Sequence, residues 1–235
     1  SNDVFETKTF EVDCKKFLKL LNKAKISMSS DETRHYLNGI FLHKTALKEN
    51  TFLTGVSTDS HRLSSSSLKI DTNTEFESTI LPKKTVFQLL PLLEESSNNL
   101  KISSGKSKIK FEVQNSILIS KVIDGKFPDY SKVIPTSNER KLEIKLNEFK
   151  NAIERVISVS SDKKEGLKMY LSKDAIKMSV NSPSSGEGIE NLNAIYNSDD
   201  INMVFNSRYL IDIAAQIEND SIIILLKDAG SPVMI

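Results

Sequence analysis

The sequence predicts an α+β protein of two tandem domains, and an internal duplication is the main evidence. Residues 10–21 align with residues 142–153, and residues 80–87 align with residues 204–211. Each aligned block has the pattern of a short strand that leads into a helix, so each copy contains two helices. The chain has 235 residues, which is long enough for each copy to bury a core. Duplicated units of this kind are more typical of scaffolds than of active sites.

The first copy begins with a strand and a helix. Asp13 is a good N-cap for a helix that runs to about Lys25, because its carboxylate can accept a hydrogen bond from a free backbone amide. Pro82 suits the first turn of the second helix, and we expect Pro91 to kink or shorten that helix. Alternation and turn residues predict the other strands at residues 36–43, 52–58, 61–70, 76–81, 108–113 and 117–123.

The second copy repeats this order after a polar linker. We place the domains at residues 1–136 and 137–235, because Pro135 and the polar residues after it interrupt the periodic pattern. Asn147 is expected to cap the first helix of this copy. The alignment ends inside the counterpart of strand 108–113, so we expect the C-terminal strand of the second domain to be absent from this chain.

Composition narrows the class of protein. The longest aliphatic run, residues 222–226, is far too short to span a membrane, and the start of the chain has no secretory signal pattern. Cys14 is the single cysteine, which excludes an internal disulfide, suits a reducing cytosol and predicts a small buried side chain. The formal net charge is +1, so any site for a polyanion must come from local segregation of charge.

Charge is segregated on the predicted helices of the first copy. Lys15, Lys19 and Lys23 recur at every fourth position and therefore share one face, opposite the apolar stripe. Lys83 and Lys84 open the second helix, where cations oppose the helix dipole. The pattern fits weak, sequence-independent contacts with a DNA backbone, and an ordinary solvated basic face is the alternative.

Two segments look like catalytic motifs but lack the required context. Residues 104–107 resemble the tail of a phosphate-binding loop, yet Leu100 occupies the position of a required glycine and a strand follows. Asp59, Ser60 and His61 are the residue types of a hydrolase, yet adjacent residues cannot easily form a relay. A hydrolase that uses the serine and histidine stays an alternative. The histidines lack partner ligands at metal-binding spacing, so no metal site is predicted.

Three further segments, residues 31–40, 57–63 and 124–135, resemble the bacterial DNA polymerase III β sliding clamp family in residues, order and spacing, and residues 205–210 resemble its third domain. The resemblance covers the whole chain and corresponds to the second and third domains. It implies the DNA-clamp fold, with two helices packed on antiparallel sheets in each domain. It also implies a cytoplasmic, non-catalytic processivity factor without a cofactor, which encircles duplex DNA as a head-to-tail homodimer ring. A repeat-built interaction scaffold without a DNA role is the alternative.

The resemblance also implies three sets of functional residues. The family binds short peptides from the polymerase III α subunit, the clamp loader and repair polymerases in a groove, and the matching residues are Arg34, Leu37, Thr58, Ser60, His61, Arg62, Leu63, Pro128, Lys132, Val133 and Val233. The DNA-facing residues would be Lys15, Lys19, Lys23, His35, Tyr36, Lys83 and Lys84. Ser158 and Val159 match the dimer edge. Ser60 replaces a usual glycine, so we expect a strained backbone there.

Overall fold

The computed structural model describes residues 8–159 and 166–235, and the chain divides into two compact units. Unit 1 ends at Pro128 and unit 2 begins at Asp129. The boundary predicted at residue 136 lies inside unit 2, in the segment before its first strand. Each unit has its own apolar core, and every strand pairing within them is antiparallel.

Unit 1 packs two helices on two four-stranded sheets. Its elements are β1 (Lys8–Asp13), α1 (Cys14–Ala24), β2 (Gly39–Leu47), β3 (Asn50–Thr58), β4 (Leu63–Ile70), β5 (Thr79–Pro82), α2 (Lys83–Glu94), β6 (Asn99–Ser104), β7 (Lys108–Val113) and β8 (Ser116–Lys121). One sheet has the order β1-β6-β7-β8 and the other has the order β4-β3-β2-β5. Two short 3-10 helices, Lys25–Ser27 and Glu32–Leu37, lie between α1 and β2.

Helix α1 forms where the sequence predicted it. The Asp13 carboxylate accepts a hydrogen bond of 2.8 Å from the backbone amide of Lys16, which confirms the N-cap. Phe17, Leu20 and Leu21 are at most 1% exposed, so the predicted apolar stripe faces the core. Cys14 is fully buried in the same core, as predicted.

One prediction for unit 1 was wrong. The strand predicted from Tyr36 begins only at Gly39, because the residues before it form the second 3-10 helix, which Asp31 caps. Helix α2 contains Pro91 and continues to Glu94, so the proline does not shorten it. Pro91 is exposed, so water can replace the backbone hydrogen bond that a proline cannot make.

Unit 2 repeats the architecture of unit 1. Its elements are β9 (Arg140–Lys145), α3 (Leu146–Ile157), β10 (Gly166–Ser172), β11 (Ala175–Ser182), β12 (Gly186–Asn193), β13 (Ile195–Tyr196), β14 (Ile201–Asn206), α4 (Ser207–Ala214) and β15 (Ser221–Leu226). The sheet order β12-β11-β10-β14 reproduces the order β4-β3-β2-β5 of unit 1. The second sheet has the order β13-β9-β15. The same connectivity in both units confirms the duplication.

The start of the first helix of unit 2 differs from the expectation. Helix α3 begins one position before Asn147, and Lys145 is its N-cap without a side-chain hydrogen bond, because the first amide of the helix donates to the carbonyl of Asp220 at 2.8 Å. Near the end of the chain, Met234 pairs with Leu225 in an isolated bridge. That bridge stands where β7 pairs with β6 in unit 1.

No helix in residues 8–159 and 166–235 is both long enough and apolar enough to cross a membrane.

Candidate functional site

The loop between β3 and β4 is a tight turn held by Asp59. Its Oδ1 atom accepts hydrogen bonds from the amides of His61 (2.9 Å) and Arg62 (3.0 Å), and its Oδ2 atom accepts one from Arg62 Nε (3.1 Å). The Thr58 hydroxyl donates to the carbonyl of Arg62 at 2.8 Å. Because both partners of the Asp59–Arg62 pair are less than one fifth exposed, the turn is rigid at its base, and His61 projects into solvent.

This turn is not a catalytic relay. The Ser60 hydroxyl accepts a hydrogen bond from the Arg34 guanidinium, and the Asp59 carboxylate is occupied by two amides and Arg62. His61 therefore has neither of the hydrogen bonds that a hydrolase triad requires. The described residues also contain no group of three or more His, Cys, Asp or Glu side chains that could hold a metal ion.

Ser60 adopts the strained conformation that the sequence predicted. Its φ angle is +77°, in the left-handed region that glycine tolerates best. A side chain costs about 1 kcal/mol in that region. The amide of Ser60 donates to the Thr58 hydroxyl at 3.2 Å, and its hydroxyl meets Arg34, so two hydrogen bonds oppose the strain.

The 3-10 helix Glu32–Leu37 reaches the same turn through Arg34. Asp31 Oδ2 accepts from Arg34 Nε at 2.8 Å, and Asp31 Oδ1 accepts from the amide and the hydroxyl of Thr33 at 2.9 and 2.6 Å. The Thr33 hydroxyl, Arg34 and the Thr33 amide lower the pKa of Asp31 to about 2. Arg34 is thereby fixed between Asp31 and Ser60. The structure therefore brings together two predicted site residues, Arg34 and Ser60.

Four further groove residues lie around this turn or follow it in unit 1. Thr58 and Leu63 form the last cross-strand pair of β3 and β4, and both are partly buried. Leu37 is 2% exposed. Pro128 is exposed and directly follows Phe127, which is buried. The predicted groove residues of unit 1 thus combine apolar and hydrogen-bonding side chains, which is the composition of a peptide-binding site.

The predicted groove residues of unit 2 lie in two segments: a short 3-10 helix holds Lys132 and Val133, and the last residues of the sequence include Val233. Lys132 and Val133 lie in a short 3-10 helix, Tyr130–Val133, where the Lys132 ammonium is 3.2 Å from the Asp129 carboxylate and Val133 is 61% exposed. Val233 is partly buried against the core of unit 2. Asn138 donates from its side chain to the carbonyls of Leu225 and Pro232, both at 3.0 Å, which fixes the backbone beside Val233.

The predicted DNA-facing lysines lie on the side of the unit 1 helices that faces away from the core. Lys15, Lys19 and Lys84 are exposed, and Lys23 is partly buried. The Lys83 ammonium donates to the Ser30 hydroxyl at 2.9 Å. Helix α1 contains no acidic residue, so its solvent face is uniformly basic.

His35 and Tyr36, the other predicted DNA-facing residues, are on the 3-10 helix that also holds Arg34. Their rings meet edge to face with centroids 5.9 Å apart. His35 Nε2 forms a hydrogen bond of 3.1 Å with the carbonyl of Asp124. Along this short helix, His35 and Tyr36 therefore lie between the predicted peptide-facing residues Arg34 and Leu37.

The predicted dimer edge is at the C-terminus of α3. The Ser158 hydroxyl donates to the carbonyl of Arg155 at 2.7 Å, and Val159 is partly buried over Gly188 of β12. A Cβ atom at Gly188 would lie 2.7 Å from the carbonyl oxygen of Val156, so only glycine permits this close packing. Arg155 donates two hydrogen bonds to Glu190 of β12, at 2.8 and 3.0 Å.

Sequence reasoning missed two contributors to the site. Asp31 is the first residue of the motif 31–40 but was not among the predicted groove residues, and its role depends on the 3-10 helix. Phe41 stacks on Phe127 with ring centroids 4.9 Å apart. Phe41 stands between Ile40 and Leu42 in a continuous apolar run, so no alternation signals which face it occupies.

Comparison with known proteins identifies the fold and the family. Residues 11–129 match the family model of the DNA polymerase III beta subunit, central domain, and residues 131–235 match that of its C-terminal domain. The beta sliding clamp of Rickettsia felis is 34% identical over 97% of the chain, and that of Caulobacter vibrioides is 31% identical over 95%. The chain spans 62% and 60% of these two relatives.

Solved clamp structures superpose on both units. The Bartonella birtlesii sliding clamp bound to griselimycin has a TM-score of 0.91 at 36% identity, over 96% of this chain and 61% of that one. The Caulobacter crescentus beta sliding clamp has a TM-score of 0.95 at 29% identity, over 99% and 62%. Since both family models match and together cover nearly all of the sequence, the chain belongs to the DNA polymerase III beta subunit family, the bacterial β sliding clamps.

Proposed function

We propose that the protein is a DNA polymerase processivity factor that encircles duplex DNA and tethers the replicative polymerase to it. The observation that carries this proposal is the match of both compact units, in order, with the central and C-terminal domains of one family. The family is non-catalytic, and a tether needs only topology, because confinement on DNA replaces tight binding with a high effective concentration. The chain spans about 60% of the length of its relatives. The closed homodimer ring is a property of the whole protein and is therefore part of this proposal.

The lysine face of unit 1 supports contact with DNA. Lys15, Lys19 and Lys23 repeat along α1 without an intervening acid, and Lys84 extends the positive charge to α2. Such a surface contacts phosphates without reading the sequence, and the net charge of +1 keeps the overall attraction weak. A sliding protein needs this combination. We place the protein in the cytoplasm, where the bacterial chromosome is replicated.

The turn of unit 1 supports a peptide-binding site. Leu63 and Pro128 provide apolar surface, Leu37 is buried, and Arg34, His61 and Arg62 provide donors at the rim. The Bartonella clamp was solved with griselimycin, and the Caulobacter clamp was solved with polyethylene glycol at a proposed β-motif tethering region. We propose that this surface, to which the family resemblance adds Lys132, Val133 and Val233, takes short peptides from the polymerase III α subunit, the clamp loader and repair polymerases.

A loading experiment tests the topological proposal. The full-length protein is loaded on nicked circular DNA by the clamp loader, and its retention is followed before and after the DNA is cut. We expect the protein to stay on the circle and to leave the linear product, because a ring can slip off free ends. Equal loss from circular and linear DNA contradicts the proposal.

A further inference from the structure

A segment of unit 1, residues 122–128, crosses from β8 to the second sheet and is called the strap here. The amide of Val122 donates to the carbonyl of Ser107 at 3.0 Å. The amide of Ile123 donates to the carbonyl of Ile80 at 2.9 Å, and the two residues form an antiparallel bridge. The strap is therefore anchored at its start to β5, and its other end carries the proposed site residue Pro128.

The far end of the strap is anchored by a column of three rings. The Phe127 ring lies on the Phe41 ring with centroids 4.9 Å apart and planes 9° apart. The Phe41 ring is also stacked with the His43 ring, with centroids 4.5 Å apart and planes 14° apart. Phe127 is only 7% exposed, although the residues on both sides of it, Lys126 and Pro128, are exposed. Phe127 therefore anchors the C-terminal end of the strap to the sheet.

The column belongs to a small apolar cluster outside the main core. Phe41 pairs with Ile80 on β5 and with Val56 on β3, which are 2% and 0% exposed. Neither belongs to the core of unit 1, because this row faces the opposite side of the sheet from Ile40 and Leu42. Removing a ring here would disturb the outer face and leave the main core in place.

The register puts this cluster beside the proposed peptide site. Val56 and Thr58 are two positions apart on β3 and so share a face, and Thr58 pairs with Leu63. The cross-strand pair of Thr58 and Leu63 is therefore adjacent, on the same face, to the pair of Val56 and Phe41. Pro128 follows Phe127 directly. The position of the Phe127 ring on the Phe41 ring therefore determines where Pro128 lies along this face.

The strap also touches the 3-10 helix that carries Arg34 and Leu37. His35 Nε2 is 3.1 Å from the carbonyl oxygen of Asp124. A Cβ atom on Gly125 would lie 3.0 Å from Tyr36 Cβ, and Gly125 has a φ of +156°, so glycine permits this approach. The strap is held by β5, by the 3-10 helix and by the ring column.

We propose that Phe41 and Phe127 are positioning residues for the partner-peptide site. The stacked rings hold Pro128 and the 3-10 helix in the arrangement that binds the peptide, without contacting the peptide themselves. This inference rests on the proposed peptide-binding function. An aromatic pair contributes about 1 kcal/mol beyond its burial, which corresponds to about fivefold in affinity if the free strap must be ordered on binding.

The test compares two ring deletions in the full-length protein. Phe41→Leu breaks the stack, Phe41→Tyr keeps it, and Phe111→Leu removes a fully buried ring from the main core of the same unit. Anisotropy measures the affinity of a labelled peptide with a clamp-binding pentapeptide. Hydrogen–deuterium exchange follows residues 122–128, and thermal unfolding gives stability.

We expect Phe41→Leu to lower the affinity for the peptide about fivefold and to accelerate hydrogen–deuterium exchange in the strap. The affinity of Phe41→Tyr should stay within about twofold of that of the wild type. Phe111→Leu should lower the unfolding temperature at least as much and leave affinity and strap exchange unchanged. Wild-type affinity in Phe41→Leu, or equal weakening by Phe111→Leu, overturns the positioning role while the site stands. Absence of peptide binding by the wild-type protein overturns the site and the positioning role together.

Discussion

The outer faces of the equivalent sheets in the two units differ more than their folds do. In unit 1 the row Ile80–Phe41–Val56 is apolar, and Ile80 and Val56 are 2% and 0% exposed. The row at the same position of unit 2 is Val204–Lys168–Ser179, and Val204 is 63% exposed. The duplication has kept the core and the connectivity, whereas the outer face has changed in one copy.

This difference indicates how one copy acquires a binding site without altering the fold. A short segment laid over a sheet face buries a few apolar side chains and brings new groups, such as Pro128, to the surface. The main core is unaffected, because the two faces of a sheet are lined by alternate residues. Unit 1 therefore carries most of the residues proposed to bind the peptide, and the corresponding face of unit 2 carries a lysine, a serine and a valine.

The largest expected effect is the loss of peptide binding when the proposed surface is charged. Leu63→Asp places a carboxylate on the apolar part of that surface, and we expect it to abolish binding of a clamp-binding peptide in the full-length protein. Val204→Asp is the matched control on the outer face of unit 2, where an exposed carboxylate is tolerated. Anisotropy titration checks both variants, and undiminished binding by Leu63→Asp contradicts the assignment.

The next effect concerns the lysine face of α1. Replacing Lys15, Lys19 and Lys23 together by Glu should shorten the lifetime on circular DNA and reduce the slope of log affinity against log salt by about 2 to 3, since each phosphate contact contributes about 0.9. The double change of Lys168 and Lys177 to Glu, on the outer face of unit 2, is the control. A triple variant that keeps both lifetime and slope favours an interaction scaffold without a DNA role.

A smaller effect is a pH dependence that arises from His43 in the ring column. Burial lowers the pKa of His43 below its ordinary value of 6.5. Below pH 6.5 the unfolded chain therefore takes up a proton before the folded protein does, and the free energy of unfolding decreases as the pH falls. Urea unfolding followed by circular dichroism at pH 7.5 and 5.5 should show this loss.

His43→Gln should lose less stability between these two pH values than the wild type does. Tyr170, at the equivalent position of unit 2, supplies the control, because its hydrogen bond to Asp200 raises its pKa and keeps it protonated throughout this range. Tyr170→Phe should therefore leave the pH dependence unchanged. Equal pH dependence in wild type and His43→Gln would assign the effect to another group.

The smallest effect is a change in one carboxyl titration. Asp31 should titrate near 2, mainly because the hydroxyl of Thr33 and the guanidinium of Arg34 stabilise its charged form. Its contribution to stability is present above its ordinary pKa of 3.8 and is lost as the pH falls through about 2. Thr33→Val should move the titration midpoint towards 3.8, which carboxyl NMR can detect. A midpoint already near 3.8 in the wild type excludes this network.

Local chemistry made a good part of this architecture predictable. Asp13 and the stripe that follows it determine α1 through short-range rules, and the duplication shows the strand–helix order of both units. The motifs around residues 57–63 and 124–135 indicated the family. Asn147 misled, because a carbonyl from another segment can satisfy a helix amide. Pro91 does not shorten α2, because an exposed proline can remain inside a helix.

The supporting contacts of the site were beyond sequence reasoning. Phe41 lies in an apolar run whose face cannot be read from its neighbours, and its partner Phe127 is 86 positions later in the chain. The ring stack exists only because the strap returns over the sheet. The link from Arg34 to Ser60 likewise depends on a 3-10 helix meeting a turn. Long-range contacts of this kind have no local signature.

Hydrogen–deuterium exchange of the full-length protein, with and without a clamp-binding peptide, tests most directly the claim that the turn and the strap of unit 1 form part of the partner site. The account predicts protection on binding in the turn of residues 58–63 and in the strap of residues 122–128. It predicts no change in the strands that carry Lys168, Ser179 and Val204. Protection confined to that face of unit 2, with the turn and the strap unchanged, would contradict it.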